Sequence, residues 1–110
     1  MKTVSRYAVR QAVTRGWYRY TLKPIPASDL ISPELRHEAR LGVRYGQLVK
    51  AYRIRLTDTN ETVEVLRSYD ANRLGIATAS APGIIWRTLR YTIDEDIQYW
   101  LAETRRPTIA

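Results

Sequence analysis

Arg6, Arg10, Arg15, Arg19 and Lys23 recur every four or five residues near the start of the chain, and Trp17 lies among them. Guanidinium and ammonium groups hold phosphate oxygens, and an indole ring offers a surface on which a base can stack. No acid interrupts the run, since the first in the chain is Asp29. These residues are equipped to recognise a polyanion.

Other chemistries are thinly supplied. The chain has one histidine, His37, and no cysteine, so a thiolate or histidine-rich metal site is out of reach, and no motif pairs His37 with a nucleophile or an orienting carboxylate. Asp58, Glu61, Glu64 and Asp70 gather closely enough in sequence to suggest a metal-assisted nuclease. Turn chemistry accounts for Asp58 and Glu61, and no lysine follows Glu64 at short spacing. Asp94, Glu95 and Asp96 suit the positive end of a helix without any metal. The small-residue stretch 75–83 lacks the Gly-Lys-Ser/Thr ending of a phosphate loop. The reading is therefore a protein that is not an enzyme and that carries neither a cofactor nor a metal.

The elements that position the cations follow from periodicity. If Arg15-Gly16 is a two-residue turn, residues 4–23 form a hairpin with two distinct faces. One face is Tyr7, Val9, Val13, Tyr18, Tyr20 and Leu22; the other is Arg6, Arg10, Trp17, Arg19 and Lys23. A second reading has Ser5 capping a helix from Arg6 to Arg15 that Gly16 ends, with Val9, Ala12 and Val13 on one side. The prevalence of Tyr, Val and Thr favours strands. Pro24 and Pro26 then close the hairpin.

Downstream, Ser32-Pro33 predicts a helix from Pro33 to about Leu41 or Tyr45. Leu35, Ala39 and Val43 fall on one side of it, and Arg36, Arg40 and Arg44 form a stripe on another. A second hairpin is expected with strands near 48–56 and 62–68. Placing Thr59-Asn60 at its turn sets Arg55 opposite Glu64 and Arg53 opposite Leu66, so Arg55 is expected to be neutralised. Asp70 is expected to cap a short turn. Residues 75–83 read as a loop or weak strand, and 84–91 as a well-buried or central strand. Thr92 and Glu95 form a capping box for a helix over 93–104, with Ile93, Ile97, Trp100 and Leu101 on its buried stripe.

These elements make a single α+β domain over residues 1–110: an antiparallel sheet of about five strands, from two hairpins plus one strand, with two helices, the C-terminal one packed on the sheet. The net charge of +7 is unevenly spread. Residues 1–55 hold 12 of the 18 cations and 3 of the 11 acids, a formal +9 against −2 for the remainder. Arginine outnumbers lysine by 15 to 3, which favours bidentate and stacked contacts. The chain has no long apolar run and no signal-like start, so a soluble, cytoplasmic protein with no membrane association is expected. The function expected is nucleic-acid binding, single-stranded RNA or DNA above a duplex, through Arg6, Arg10, Arg15, Trp17, Arg19 and Lys23, extended by Arg36, Arg40 and Arg44. The alternative is a complex subunit, inhibitor or viral host-interaction protein whose same face binds an acidic protein partner.

Overall fold

A computed structural model describes Arg10, residues 18–79 and residues 81–104. Among the described residues the fold is α+β, with an antiparallel sheet of five strands, a short 3-10 turn and two helices of 12 residues each. In chain order these are β1 (Tyr20–Ile25), the 3-10 turn (Ala27–Asp29), α1 (Pro33–Arg44), β2 (Val49–Leu56), β3 (Thr62–Ser68), β4 (Arg73–Thr78), β5 (Ala81–Thr88) and α2 (Ile93–Thr104). The chain divides into two compact units, Tyr20–Thr88 and Met1–Arg19 with Leu89–Ala110.

In the first unit the strands lie side by side in chain order, leaving β1 and β5 as edges. Alternation along β1 is as expected, with Tyr20 and Leu22 half-buried and Thr21 and Lys23 exposed. The partner differs from the expected one: β1 pairs with β2. Arg10 has helical backbone, which agrees with the helix reading and not with a strand at that position. The other residues of the expected first strand, and Trp17, lie outside the described residues. Alternation establishes that a strand has two faces but not which strand it joins. Pro24 continues β1 instead of closing it, because an edge strand has N–H positions that need no partner.

α1 begins as expected, with the Ser32 hydroxyl accepting from the Leu35 N–H at 3.2 Å and Pro33 in its first turn. Its buried side is Leu35, Ala39 and Gly42, whereas Val43 is 69% exposed. Close approach to β2 selects the glycine: a Cβ on Gly42 would stand 2.8 Å from Val49 Cγ1. Leu30, Leu35 and Ala39 join Ala51, Leu66 and Ala77 in one core cluster, flanked by Ile25, Val49 and Ile84.

The β2–β3 hairpin has the expected strands in a different register. Arg53 faces Glu64, Ile54 faces Val63 and Arg55 faces Thr62. The turn is longer than the two residues expected, because Asn60 takes a left-handed φ of 60° and its N–H donates to the Leu56 carbonyl at 2.9 Å. A slip of two residues keeps every side chain on its face but changes every partner. The next turn is equally tight, with Asn72 at φ 49°; Asp70 caps nothing helical there and accepts from the Leu48 N–H at 3.3 Å.

Residues 75–83, expected as loop or weak strand, fall largely in strands: 75–78 belong to β4, in which Leu74, Gly75, Ile76 and Ala77 are buried, and 81–83 begin β5. The expected central strand at 84–91 is instead the edge strand β5, which ends at Thr88 and leaves Ile85 and Trp86 about two-fifths exposed. An apolar run on both faces does not identify a central strand when small residues opposite it seat its rings. Gly75 lies opposite Trp86, and a Cβ there would meet the ring at 2.9 Å and Ile84 Cγ2 at 3.1 Å. Gly75→Ala is expected to destabilise the protein by about 1–3 kcal/mol through overpacking, measured by urea denaturation; an unchanged midpoint would show that the ring moves aside freely.

In the second unit, α2 has the expected limits. The Thr92 hydroxyl accepts from the Glu95 N–H at 3.2 Å, and Ile97, Trp100 and Leu101 are buried. Asp96 does more than complement the helix dipole: it is 2% exposed and its Oδ2 accepts from the Arg90 and Tyr91 N–H groups at 3.2 and 2.9 Å. Gln98 Nε2 donates to the Tyr18 carbonyl at 2.8 Å, and the rings of Tyr91 and Tyr99 stack 5.7 Å apart.

Candidate functional site

β-strand register collects cations on the side of the sheet that α1 covers. Lys23 and Arg53 are cross-strand partners, as are Thr21 and Arg55. The register places one acid on this face among the described residues, Glu64. Glu64 is 5% exposed. Its carboxylate accepts from the Ile31 N–H at 2.9 Å, from the Ser32 N–H at 2.8 Å and from Arg53 Nη2 at 3.3 Å. Arg53 Nη2 also donates to the Asp29 carbonyl at 2.8 Å. The buried carboxylate thus fixes the start of α1 to β3, and Arg53 supplies its counter-charge. Arg55, expected to be neutralised by Glu64, instead stays exposed, with its Nε donating to Asn60 Oδ1 at 3.0 Å.

α1 separates charge across its width. Glu34 and Glu38, with His37, line an open cleft of about 490 Å³ against Ile84 and Trp86 of β5. At 100° per residue, Arg36 and Arg40 lie about 100–140° from the buried Leu35, on the opposite flank. That flank is turned toward β2 and β1, since α1 packs over β2 to β5 and its acidic side meets β5. Arg36, Arg40 and Arg44 are all exposed, and Tyr45, which follows at the helix end, is 72% exposed.

Of the expected site residues, Arg10 and Arg19 are exposed in the unit that contains α2, and Lys23, Arg36, Arg40 and Arg44 are exposed in the sheet unit. Arg6, Arg15 and Trp17 lie outside the described residues. Arg55 and Tyr45 join the basic surface without having been expected there. For Arg55 the signal was the asparagine at the end of the 57–60 turn; for Tyr45 it was a ring immediately after an arginine stripe.

A second cleft of about 430 Å³ opens at the start of α1, bounded by Ile31, Glu34, Thr62, Glu64 and Ala77. Its Ser32, Glu34 and Glu64 side chains are committed. Ser32 Oγ caps α1 and donates to Glu34 Oε2 at 3.2 Å, and Glu64 is held as described. The carboxylates considered for a nuclease disperse accordingly: Glu64 holds α1, Asp70 holds the Leu48 amide, and among the described residues no three potential metal ligands come together. The chain matches no protein-family model, no curated protein and no solved structure. Among the described residues no helix is long and apolar enough to cross a membrane.

Proposed function

We propose that this chain is a non-enzymatic module that binds single-stranded nucleic acid along the basic flank of α1 and the adjoining β1–β2 face. The observation that supports this reading is the division of charge about α1. Arg36, Arg40, Arg44, Lys23 and Arg55 are exposed on one side, whereas Glu34 and Glu38 line the cleft on the other and Glu64 is buried in structural bonds. Five phosphate contacts are available in that set, and Tyr45 offers an exposed ring beside the arginine stripe for an unpaired base. A strand with splayed bases suits such a surface better than a duplex, whose bases are already stacked on one another.

The test is a fluorescence-anisotropy titration of labelled single-stranded RNA, single-stranded DNA and duplex DNA across a range of salt. Wild type is expected to give a log–log salt slope of about −3.5 on single strands, from about five contacts at roughly 0.7 each. The Arg36→Ala/Arg40→Ala/Arg44→Ala variant should weaken binding and flatten that slope by about 2 units. Tyr45→Ala should weaken binding by about 1–3 kcal/mol with little change in slope. Binding that ignores these substitutions, or is absent near physiological salt, would overturn the proposal and direct attention to an acidic protein partner for the same surface.

A further inference from the structure

The face of the sheet away from α1 carries a second group of cations. Lys50 on β2 and Arg67 on β3 are cross-strand partners, and like charges placed directly opposite one another repel. Tyr52 lies two residues along β2 from Lys50, and Tyr69 extends the same register, its N–H donating to the Leu48 carbonyl at 3.0 Å. The two tyrosines flank the cation pair along the strands, and their side chains are hydrogen-bonded to each other. The Arg67 guanidinium carbon lies over the Tyr69 ring, 4.1 Å from its centroid. Its Nε is buried and finds no hydrogen-bond acceptor among the described residues. The nearest acids in sequence are both engaged, Glu64 with the Ile31 and Ser32 amides and Asp70 with the Leu48 amide.

We infer that Lys50, Arg67, Tyr52 and Tyr69 form a binding site for a phosphoryl oxyanion. Contact with the Tyr69 ring restrains the guanidinium, so that less side-chain freedom is lost when a ligand arrives. Lys50 adds a mobile point charge beside that planar fork. A phosphate oxyanion would relieve the repulsion across the strand pair and supply acceptors for Arg67 and for a tyrosine hydroxyl. Burial, reinforced by the Tyr69 hydroxyl, holds the Tyr52 phenol above its ordinary titration range despite the opposing pull of Arg67, and the hydrogen bond between the two phenols leaves one of their O–H groups for a ligand. This site lies on the other face of the sheet from the surface proposed for single strands, and its existence does not depend on that proposal.

The test is a titration of the full chain with inorganic phosphate at constant ionic strength, followed by the arginine Nε–Hε resonances in 15N-edited NMR. A second arm uses a nucleoside 5′-monophosphate. The Arg67 resonance is expected to shift saturably with a midpoint on the order of 1 mM, as two or three charge-assisted contacts allow. Lys50→Gln, an exposed substitution that leaves the Arg67–Tyr69 stack in place, should weaken the midpoint at least about fivefold through loss of one charge-assisted contact. Arg67→Gln should abolish the tyrosine chemical-shift response to phosphate. Tighter binding of the monophosphate would identify a nucleotide as the source of the oxyanion, and equal binding would identify phosphate itself. A shift that fails to saturate, that sodium chloride reproduces, or that Lys50→Gln leaves unchanged would overturn the site.

Discussion

Glu64→Ala is expected to destabilise the sheet unit by about 3 kcal/mol, the low end of the range for removing one partner of a buried ion pair, because the Arg53 side chain is 33% exposed. Three losses combine. The Ile31 and Ser32 N–H groups lose their acceptor at the start of α1, Arg53 loses its counter-ion, and a cavity opens beneath the helix start. Hydrogen bonds to a charged group are individually worth about 1.5–3 kcal/mol, so the carboxylate ranks beside the buried Leu35 among the groups that hold α1. Glu64→Gln separates shape from charge. It keeps the volume but turns an NH2 toward groups that are themselves donors, and a loss of about 2–3 kcal/mol is expected from the unmet bonds. Urea denaturation followed by far-ultraviolet circular dichroism measures both. A loss under about 1 kcal/mol for the alanine variant would mean that α1 is held by its apolar side alone.

Trp100→Ala is expected to cost about 3–5 kcal/mol, the range for deleting a buried aromatic side chain. Trp100 is 4% exposed, beside Ile97 and Leu101 at 0% on the same stripe of α2. Trp100→Phe provides a sharper comparison. The indole Nε1 is buried without a hydrogen-bond partner among the described residues, so phenylalanine removes an unmet donor along with part of the ring. Its cost is expected to fall well below half that of alanine, because an unsatisfied buried donor carries a penalty of about 1–3 kcal/mol that is thereby relieved. Thermal and urea denaturation of the two variants measure the difference. Equal losses would show that the indole N–H is satisfied in solution.

What the sequence discloses depends on whether a feature is local. α2 was legible to its last residue because Thr92, Glu95 and the stripe through Leu101 all lie within a few turns of one another. The arginine stripe of α1 was legible for the same reason, since helical period alone brings Arg36, Arg40 and Arg44 into line. Strand pairing is not local in this sense. Two-residue alternation assigned the faces of β2 and β3 correctly, but the exchange of Arg55 for Arg53 opposite Glu64 turned on the backbone of one residue, Asn60. The place of β5 at an edge was hidden because its apolar residues are partly accommodated by a glycine on the neighbouring strand, a pairing that only the register reveals. The role of Glu64 was hidden by distance, since its amide partners lie more than 30 residues earlier in the chain. The site was legible as a class, cations with a ring, and only in part as a set of residues.

The side-by-side order of the strands has a kinetic consequence. From β2 to β5 each strand pairs with the one just before it through a short turn, so the entropy lost in bringing neighbours together is small at every step. The exception is the β1–β2 pairing, which must close over the whole of α1. The β2–β5 meander can therefore zip up from its tight turns, with Glu64 already mounted on β3 before α1 arrives. Helix docking and the addition of β1 then become one late event, gated by capture of the Ile31 and Ser32 amides.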